Sequence, residues 1–372
     1  MSNPSPGKKS AYVTAFQTEV DRLSSFRDVA LLDQIQRIID LAKSHNDSAA
    51  VIEWQCALIE ASSHCSRFDR ELAAFQGLMD LYRSEPGASD IREMALWYYK
   101  WVAEELVLYP DVDRDQIDGF FQQMASFYAD ESESPTPIYA LRYASSAFMG
   151  RGEDAETWRE RWESSDAGDS DDCAACQTHT RVQAHLDLDD ADAAIDAAAP
   201  LFKGEQACDS IPAKTFSRLL LPVLMRDNVE MCVALIRAVR RQVRHTPNML
   251  SHLADHVVFL SLVPSPQTAR RNACILLRGL ARTPSPFDRY CAARAAWIWA
   301  RRRMNNGAGL DLPKRIVLEL KHDDDDVLVA WLFNQMHQLA EAFDRRNGTR
   351  RFNLDAVQAE QIVDMNGELG GA

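Results

Sequence analysis

The residues with the clearest capacity for chemistry are two cysteines, Cys173 and Cys176, in the sequence SDDCAAC at residues 170–176. Two cysteines separated by two residues can turn both sulfur atoms toward one metal ion, which provides half of a tetrahedral zinc site. Cys208 is the next cysteine, in the sequence QACDSIP at residues 206–212, whose proline and polar residues indicate a loop. The spacing therefore predicts that three sulfur ligands for zinc meet between helices.

The fourth zinc ligand is expected from the sequence HLADH at residues 252–256, which places two imidazoles four residues apart on one helix face. His256 is the first candidate and His252 the second. A Cys3His sphere leaves no position for a catalytic water, so this zinc would be structural. The alternative is that the cysteines hold no metal, because the chain has eight cysteines and free cysteine is often a small buried hydrophobe.

Catalytic patterns are weak throughout the chain. HLADH resembles the H-E-x-x-H motif of metalloproteases, but Leu253 occupies the place of the general-base glutamate, which disfavours a metal-dependent enzyme. A redox C-x-x-C is also disfavoured, because no strand pattern accompanies it. A nucleophile pair of Cys208 with a histidine stays open, although no neighbouring residue indicates activation. The sequence predicts no catalytic residue.

The segments that must position the cysteines have helical periodicity. Apolar residues recur at intervals of three and four between sparse glycines and prolines. Polar residues that open the second helix of each pair lie near residues 69, 113, 152, 189, 227 and 264, a spacing of about 37–44 residues. That spacing is typical of two-helix repeats. The sequence therefore predicts an all-α fold, an α-solenoid of degenerate tetratricopeptide-like two-helix repeats.

The predicted organisation has five parts, which follow from composition and from the repeat spacing. An acidic, glycine-containing stretch at residues 164–172 is the expected joint between an acidic front half and a mildly basic back half. The parts are N-terminal helices at 1–45, acidic hairpin repeats at 46–163, repeats around the C-x-x-C at 164–282, C-terminal helices at 283–365 and a disordered tail at 366–372.

The net charge of -14 is distributed unevenly. Residues 1–190 contain 17 basic and 35 acidic residues, a net of -18, whereas the rest of the chain contains 24 and 20, a net of +4. The acidic total argues against a general polyanion binder. Arginine clusters on successive predicted hairpins nevertheless offer nucleic-acid association as an alternative function. The clusters are Arg237/Arg240/Arg241/Arg244, Arg270/Arg271 and Arg301/Arg302/Arg303.

The expected cellular compartment follows from two features that the sequence lacks, a signal peptide and a membrane span. The first ten residues contain no apolar segment of the kind found in signal peptides, and no run approaches the roughly 18 apolar residues of a membrane span. We expect a cytoplasmic protein with no membrane partner. Its cysteines are then expected as thiols or metal ligands and not as disulfides.

Several segments together resemble an uncharacterised family of bacterial tetratricopeptide-like repeat proteins. The resemblance extends over most of the chain beyond about residue 50, implies a helical-repeat fold, and implies that Cys173, Cys176, Cys208 and His256 form a recurring set. It implies no reaction, because none is established for the family. The chain departs from the family at Asp189 and Asp227, where glycine is common. The segments are LWYYKWV at 96–102, SDDCAAC at 170–176, APLFKG at 199–204 with Cys208 and Pro212, ADHVVFL at 254–260, PSPF at 284–287 and FDRRNGT at 343–349.

The expected function is non-catalytic binding of a protein or peptide on the concave surface, because repeat arrays present extended surfaces and few enclosed pockets. Trp97 and Trp101 are four residues apart on one predicted helix. We expect both in the hairpin core, with an aromatic ridge facing a ligand as the alternative.

Overall fold

The structure, a computed structural model, describes residues 29–84, 89–245 and 247–365. Within these ranges every regular element is helical, with eighteen α-helices and one 3-10 turn at Pro247–Met249. The helices are α1 (Val29–Ser44), α2 (Ser48–His64), α3 (Phe68–Ser84), α4 (Ser89–Leu106), α5 (Arg114–Asp130), α6 (Thr136–Phe148), α7 (Gly152–Ser164), α8 (Ala174–Asp187), α9 (Ala191–Ala197), α10 (Ala199–Phe202), α11 (Ala213–Leu224), α12 (Val229–His245), α13 (Leu250–Leu262), α14 (Pro266–Leu280), α15 (Pro286–Asn305), α16 (Lys314–Leu320), α17 (Asp325–Asn347) and α18 (Arg351–Asp364). The predicted tail at 366–372 lies outside the described residues.

The repeat spacing predicted from the sequence is confirmed. Helices begin at Phe68, Arg114, Gly152, Ala191, Val229 and Pro266, each within about two residues of a predicted start. Consecutive helices pack on each other as hairpins, for example α2 on α3 and α6 on α7. The fold class is all-α and solenoid-like, as the sequence predicts.

The turns between paired helices use residues with left-handed backbone conformations. Asp189 and Asp227 have φ values of 62° and 56°, and Gly150 has 74° at the equivalent turn. Only glycine adopts this region without steric cost, and aspartate is among the side chains that tolerate it. Asp189 and Asp227 are therefore positions where the backbone itself favours glycine.

The chain forms two compact units, one up to Val102 and one from Ala103 onward. The boundary lies inside α4, and the predicted joint at 164–172 falls within the larger unit. In the smaller unit α1 packs on α2 and α2 on α3, with Ile38, Ile39 and Ile59 fully buried between them.

The aromatic residues of α4 are not arranged as expected. Trp97 is 42% exposed, and Nζ of Lys100 lies 4.0 Å from the centroid of its ring. The core is instead filled by Tyr98 and Tyr99, which are both buried. The prediction that Trp97 belongs to the core is wrong, because the buried stripe of α4 runs through Ile91, Ala95, Tyr98, Tyr99 and Val102.

The larger unit has contacts that a linear repeat array lacks. In such an array each repeat contacts only its neighbours. Here Phe148 at the end of α6 packs against Phe343 of α17 and Phe352 of α18, with ring centroids 6.1 Å and 5.4 Å away. Arg346 also donates to the carbonyl oxygens of Val107 and Val112. The last helices of this unit therefore return to its first helices.

Candidate metal and ligand sites

The three predicted cysteines meet in the structure. The Sγ atoms of Cys173, Cys176 and Cys208 all lie within 4.8 Å of one another. Zn–S bonds of about 2.3 Å in a tetrahedron separate two sulfur atoms by about 3.8 Å, so this spacing is suited to one metal ion. Cys173 and Cys208 are exposed and Cys176 is half-buried. The prediction that these three residues form a cluster capable of holding a metal is confirmed.

Local hydrogen bonds position the cysteine cluster. Cys173 is the N-cap residue of α8, which places Cys176 on the first turn. Cys208 lies in the loop before α11, where its backbone N–H donates to the carbonyl oxygen of Ile211 over 2.9 Å. The hydroxyl of Thr178 on α8 donates to Oε1 of Gln206 in that loop over 2.7 Å. This bond connects the two segments that supply the sulfur atoms.

The electrostatics of the cluster differ between its two C-x-x-C members. Burial acts to raise the pKa of the Cys173 thiol, but hydrogen bonds from the backbone N–H of Cys176 and from the neighbouring thiols lower the pKa overall. Burial raises the pKa of Cys176, and the neighbouring sulfur of Cys173 raises it further. Thiolates are the form that binds metal, and of the two C-x-x-C members Cys173 forms its thiolate more readily.

The structure places the two histidines elsewhere. Among the described residues, the metal-sized group contains the three cysteines and neither His252 nor His256. His256 is buried, and its Nε2 lies 2.9 Å from Oγ of Ser217. Because the Ser217 hydroxyl donates to the carbonyl oxygen of Ala213, it accepts the N–H of the His256 ring. His256 therefore serves the core between α11 and α13, and the Cys3His sphere is not assembled in this geometry.

The arginines of the predicted clusters differ in the partners that they have within the fold. Arg303 pairs with Asp311 at 2.7 Å, and Arg302 donates to the carbonyl oxygens of Ser261, Ile362 and Met365. Arg270 donates to the carbonyl oxygen of Asp311. These side chains hold helices together. Arg271, by contrast, lies close enough to Arg244 for its positive charge to lower the pKa of that guanidinium.

A groove of about 310 Å³ lies beside the remaining arginine cluster, on α12, α13 and the start of α14. Among the described residues, no carboxylate lies within 4.0 Å of Arg237, Arg240 or Arg244, which all border this groove. Burial lowers the pKa of Arg244, and the positive charges of Arg240 and Arg271 lower it further. The floor is apolar, formed by Val229, Val233, Ile236, Phe259, Leu260 and Val263.

A second region of the larger unit was not predicted from the sequence. Two adjoining cavities of about 420 Å³ and 640 Å³ share Arg218, Arg294 and Asp355 in their walls. Arg294 donates to Asp355 over 2.6 Å, and Nη1 of Arg218 lies 3.7 Å from Oδ1 of Asp255. Burial raises the pKa of Asp255 to about 6, although both arginines act to lower it. We name this region the charged cavity.

The sequence signal for the charged cavity is a charge inside an apolar helix. Arg294 interrupts the run AARAA at residues 292–296, and Asp255 lies within the mostly apolar α13. A charged residue on a buried face has to be paired or functional. Which charges meet depends on chain segments more than 160 residues apart, such as Asp187 and Arg351.

No protein-family profile matches this chain, and no curated protein sequence matches it. The resemblance to bacterial tetratricopeptide-like proteins stays a prediction. In the described part of the chain, no helix is both long and apolar enough to cross a membrane. The expected cytoplasmic location stays a prediction as well.

Proposed function

We propose that this chain is a non-catalytic helical-repeat scaffold that binds an acidic protein or peptide segment in the groove formed by α12, α13 and the start of α14. The observation that carries this proposal is the combination of an apolar floor with a rim of arginines that have no carboxylate partner among the described residues. Amphipathic helices bind to such grooves through apolar anchors one turn apart. Acidic residues beside those anchors would relieve the repulsion among Arg240, Arg244 and Arg271.

Nucleic-acid association is the competing function for the same arginines. A surface that binds a phosphate backbone needs a row of cations along its length, and it does not require an apolar floor. Arg270, Arg302 and Arg303 are already engaged within the fold. The groove therefore favours a peptide over a nucleic acid as the partner.

Binding is tested with a fluorescent peptide of leucine and glutamate, with leucines spaced for one helix face, and with a single-stranded oligonucleotide of the same charge. Arg240 borders the groove, whereas Arg241 is its exposed neighbour and does not. We expect Arg240→Glu to weaken peptide binding by about tenfold or more and Arg241→Glu to change it about twofold or less. Fluorescence anisotropy at two salt concentrations measures both affinities.

Two outcomes contradict the peptide proposal. Absence of peptide binding to the wild-type protein removes it. Stronger binding of the oligonucleotide, weakened equally by both substitutions and falling steeply with salt, assigns the arginines to nucleic acid instead.

We further propose that Cys173, Cys176 and Cys208 hold a structural zinc ion. Three thiolates are soft ligands that suit zinc. Such an ion would tie the start of α8 to the loop before α11. Because the described residues bring no fourth protein ligand to the cluster, water or a solute would complete the tetrahedron, and the structural role then rests on this tie between two chain segments and not on a closed ligand sphere.

Zinc per chain, measured by elemental analysis on protein purified without added metal, tests this part of the proposal. We expect about one zinc per chain in the wild type and its loss, with lower thermal stability, in Cys208→Ser. Cys274→Ser is the matched control, because Cys274 is a half-buried thiol outside the cluster. Absence of zinc from wild type and control alike would contradict the proposal.

A further inference from the structure

Two carboxylates of the charged cavity, Asp187 and Asp355, use their hydrogen-bonding capacity more fully than its arginines do. Oδ1 of Asp187 accepts from Arg218, Arg351 and Gln183, at 3.1 Å, 2.7 Å and 2.9 Å. Asp355 accepts from Arg294 through Oδ1 and from the hydroxyl of Tyr290 through Oδ2, both at 2.6 Å.

By contrast, Arg218 and Arg294 each retain a donor. The Nε atoms of both side chains are buried and have no hydrogen-bond partner among the described residues. The side chain of Arg294 is only 8% exposed. An unpaired donor on a guanidinium buried to this degree costs folding free energy, which a bound water, ion or ligand that accepts from it would recover.

Asp255 shows the opposite deficit in the same wall. Its Oδ1 lies 3.7 Å from Nη1 of Arg218, which is beyond the range of a hydrogen bond. Its Oδ2 is buried and has no donor among the described residues. The smaller cavity is lined by Asp255, Arg218 and Arg294 together. The side chains that line this cavity thus include two arginines with an unpaired N–H donor and a carboxylate with an unpaired oxygen, and these three atoms are themselves buried.

The charges that surround these atoms restrict the ligand. The charged residues that line the smaller cavity are Arg218, Arg226 and Arg294 and Asp189, Asp255 and Asp355, so the formal charges of its lining balance. A multiply charged anion would meet the carboxylates, and a simple cation would meet the guanidinium groups. A ligand that carries one charge of each sign avoids both penalties.

We propose that the charged cavity binds a small zwitterion of the α-amino acid class, with its carboxylate toward Arg218 and Arg294 and its ammonium group toward Asp255. Guanidinium groups bind carboxylates through paired N–H donors, and a carboxylate accepts strongly from an ammonium group. The volume of about 420 Å³ is in the range of small-molecule sites. This site is separate from the groove of α12 and α13 and does not depend on it.

Calorimetric titration of the full-length protein with each standard α-amino acid tests the proposal. We expect at least one amino acid to give saturable binding. Its N-acetyl derivative and its methyl ester should each bind at least about tenfold more weakly, because each lacks one of the two charges. Competition between amino acids would then rank the side chains that the remaining cavity accepts.

Two variants locate the site. Asp255→Asn keeps the shape of the side chain and breaks no hydrogen bond given by the structure, so we expect a folded protein whose affinity is at least about tenfold lower. Arg294→Lys keeps the positive charge beside Asp355 and removes the paired N–H donors of the guanidinium group. We expect the same loss of affinity. Asp196→Asn, at an exposed position of α9, is the control and should bind as the wild type does.

Three results would overturn the proposal. The first is that no standard amino acid binds to the wild-type protein. The second is that an amino acid binds with the same affinity to wild type and Asp255→Asn, which places its site elsewhere. The third is that N-acetylation leaves the affinity unchanged, which removes the ammonium group from recognition. If Arg294→Lys does not fold, the Asp255→Asn comparison decides alone.

Discussion

The hydroxyl of Thr178 donates a hydrogen bond to Oε1 of Gln206 over 2.7 Å, and this bond joins the helix of Cys173 and Cys176 to the loop of Cys208. The two residues bind no metal themselves. The bond is a direct side-chain link between the two segments that supply the sulfur atoms.

Removal of this tie should weaken zinc binding. Thr178→Val keeps the shape of the side chain and loses the hydroxyl, and outer contacts of metal sites typically contribute about tenfold or more to affinity. We expect a loss of about tenfold, measured by competition with a zinc chelator. Thr157→Val removes an exposed hydroxyl of α7 and serves as the control. Equal affinities in both variants would show that the loop is held without Thr178.

The adjacent arginines Arg345 and Arg346 should differ strongly in their contribution to stability. Arg346 donates to the carbonyl oxygens of Val107, Tyr109 and Val112 at 2.6 Å, 3.2 Å and 3.2 Å, and burial lowers its pKa to about 10. Arg345 is mostly exposed, and its partner among the described residues is Glu341, one turn away.

We expect Arg346→Met to lower the free energy of unfolding by about 2–4 kcal/mol, because several carbonyl oxygens lose a charged donor. Arg345→Met should change it by about 0.5 kcal/mol or less, as surface ion pairs contribute little. Urea denaturation of both variants measures the difference. Similar losses in the two variants would remove Arg346 as the tie between the last and first helices of the larger unit.

The left-handed turn at Asp227 predicts opposite effects for two small substitutions. With φ at 56°, Asp227→Gly should stabilise the protein by up to about 1 kcal/mol, since glycine adopts this conformation without a Cβ clash. Asp227→Ala should destabilise it by about 1 kcal/mol, because alanine has the clash without the polar side chain. Thermal unfolding distinguishes the two, and destabilisation by glycine would mean that the carboxylate itself holds the turn.

The carboxyl group of Asp288 should make stability depend on pH. Burial raises its pKa from 3.8 to about 6, although hydrogen bonds from Ser251 and Thr283 oppose the shift. Between about pH 4 and pH 6 the folded protein therefore holds a proton that the unfolded chain has released. The contribution of this carboxyl group to the free energy of unfolding is fully present below about pH 4. It is lost as the pH rises through about 6, which lowers the free energy of unfolding by up to about 3 kcal/mol.

Asp288→Asn removes this titration and keeps the acceptor for the Ser251 N–H. We expect the stability of the variant relative to wild type to increase as the pH rises from about 4 to about 6. Asp130→Asn, at an exposed position of α5, is the control for the general effect of removing a carboxylate. A constant difference between Asp288→Asn and wild type over this pH range would contradict the assignment.

The sequence alone predicts the helices and their pairing. Apolar spacing and polar caps act within a few residues, so the starts near residues 69, 113 and 152 are legible without tertiary information. The same local logic places Cys173 and Cys176 between two helical segments. It also predicts a loop around Cys208, and packing of α8 against α11 then brings the three sulfur atoms together.

Tertiary structure decided what the local pattern leaves open. The spacing of His252 and His256 fixes a shared helix face but not the direction of that face, and packing of α13 against α11 turns His256 toward Ser217. The charged cavity requires Asp187 to meet Arg351, and the return of α17 and α18 to α6 makes that contact. Charge pairs over such separations depend on how hairpins stack, because periodicity specifies which residues are buried and not which distant residues they meet.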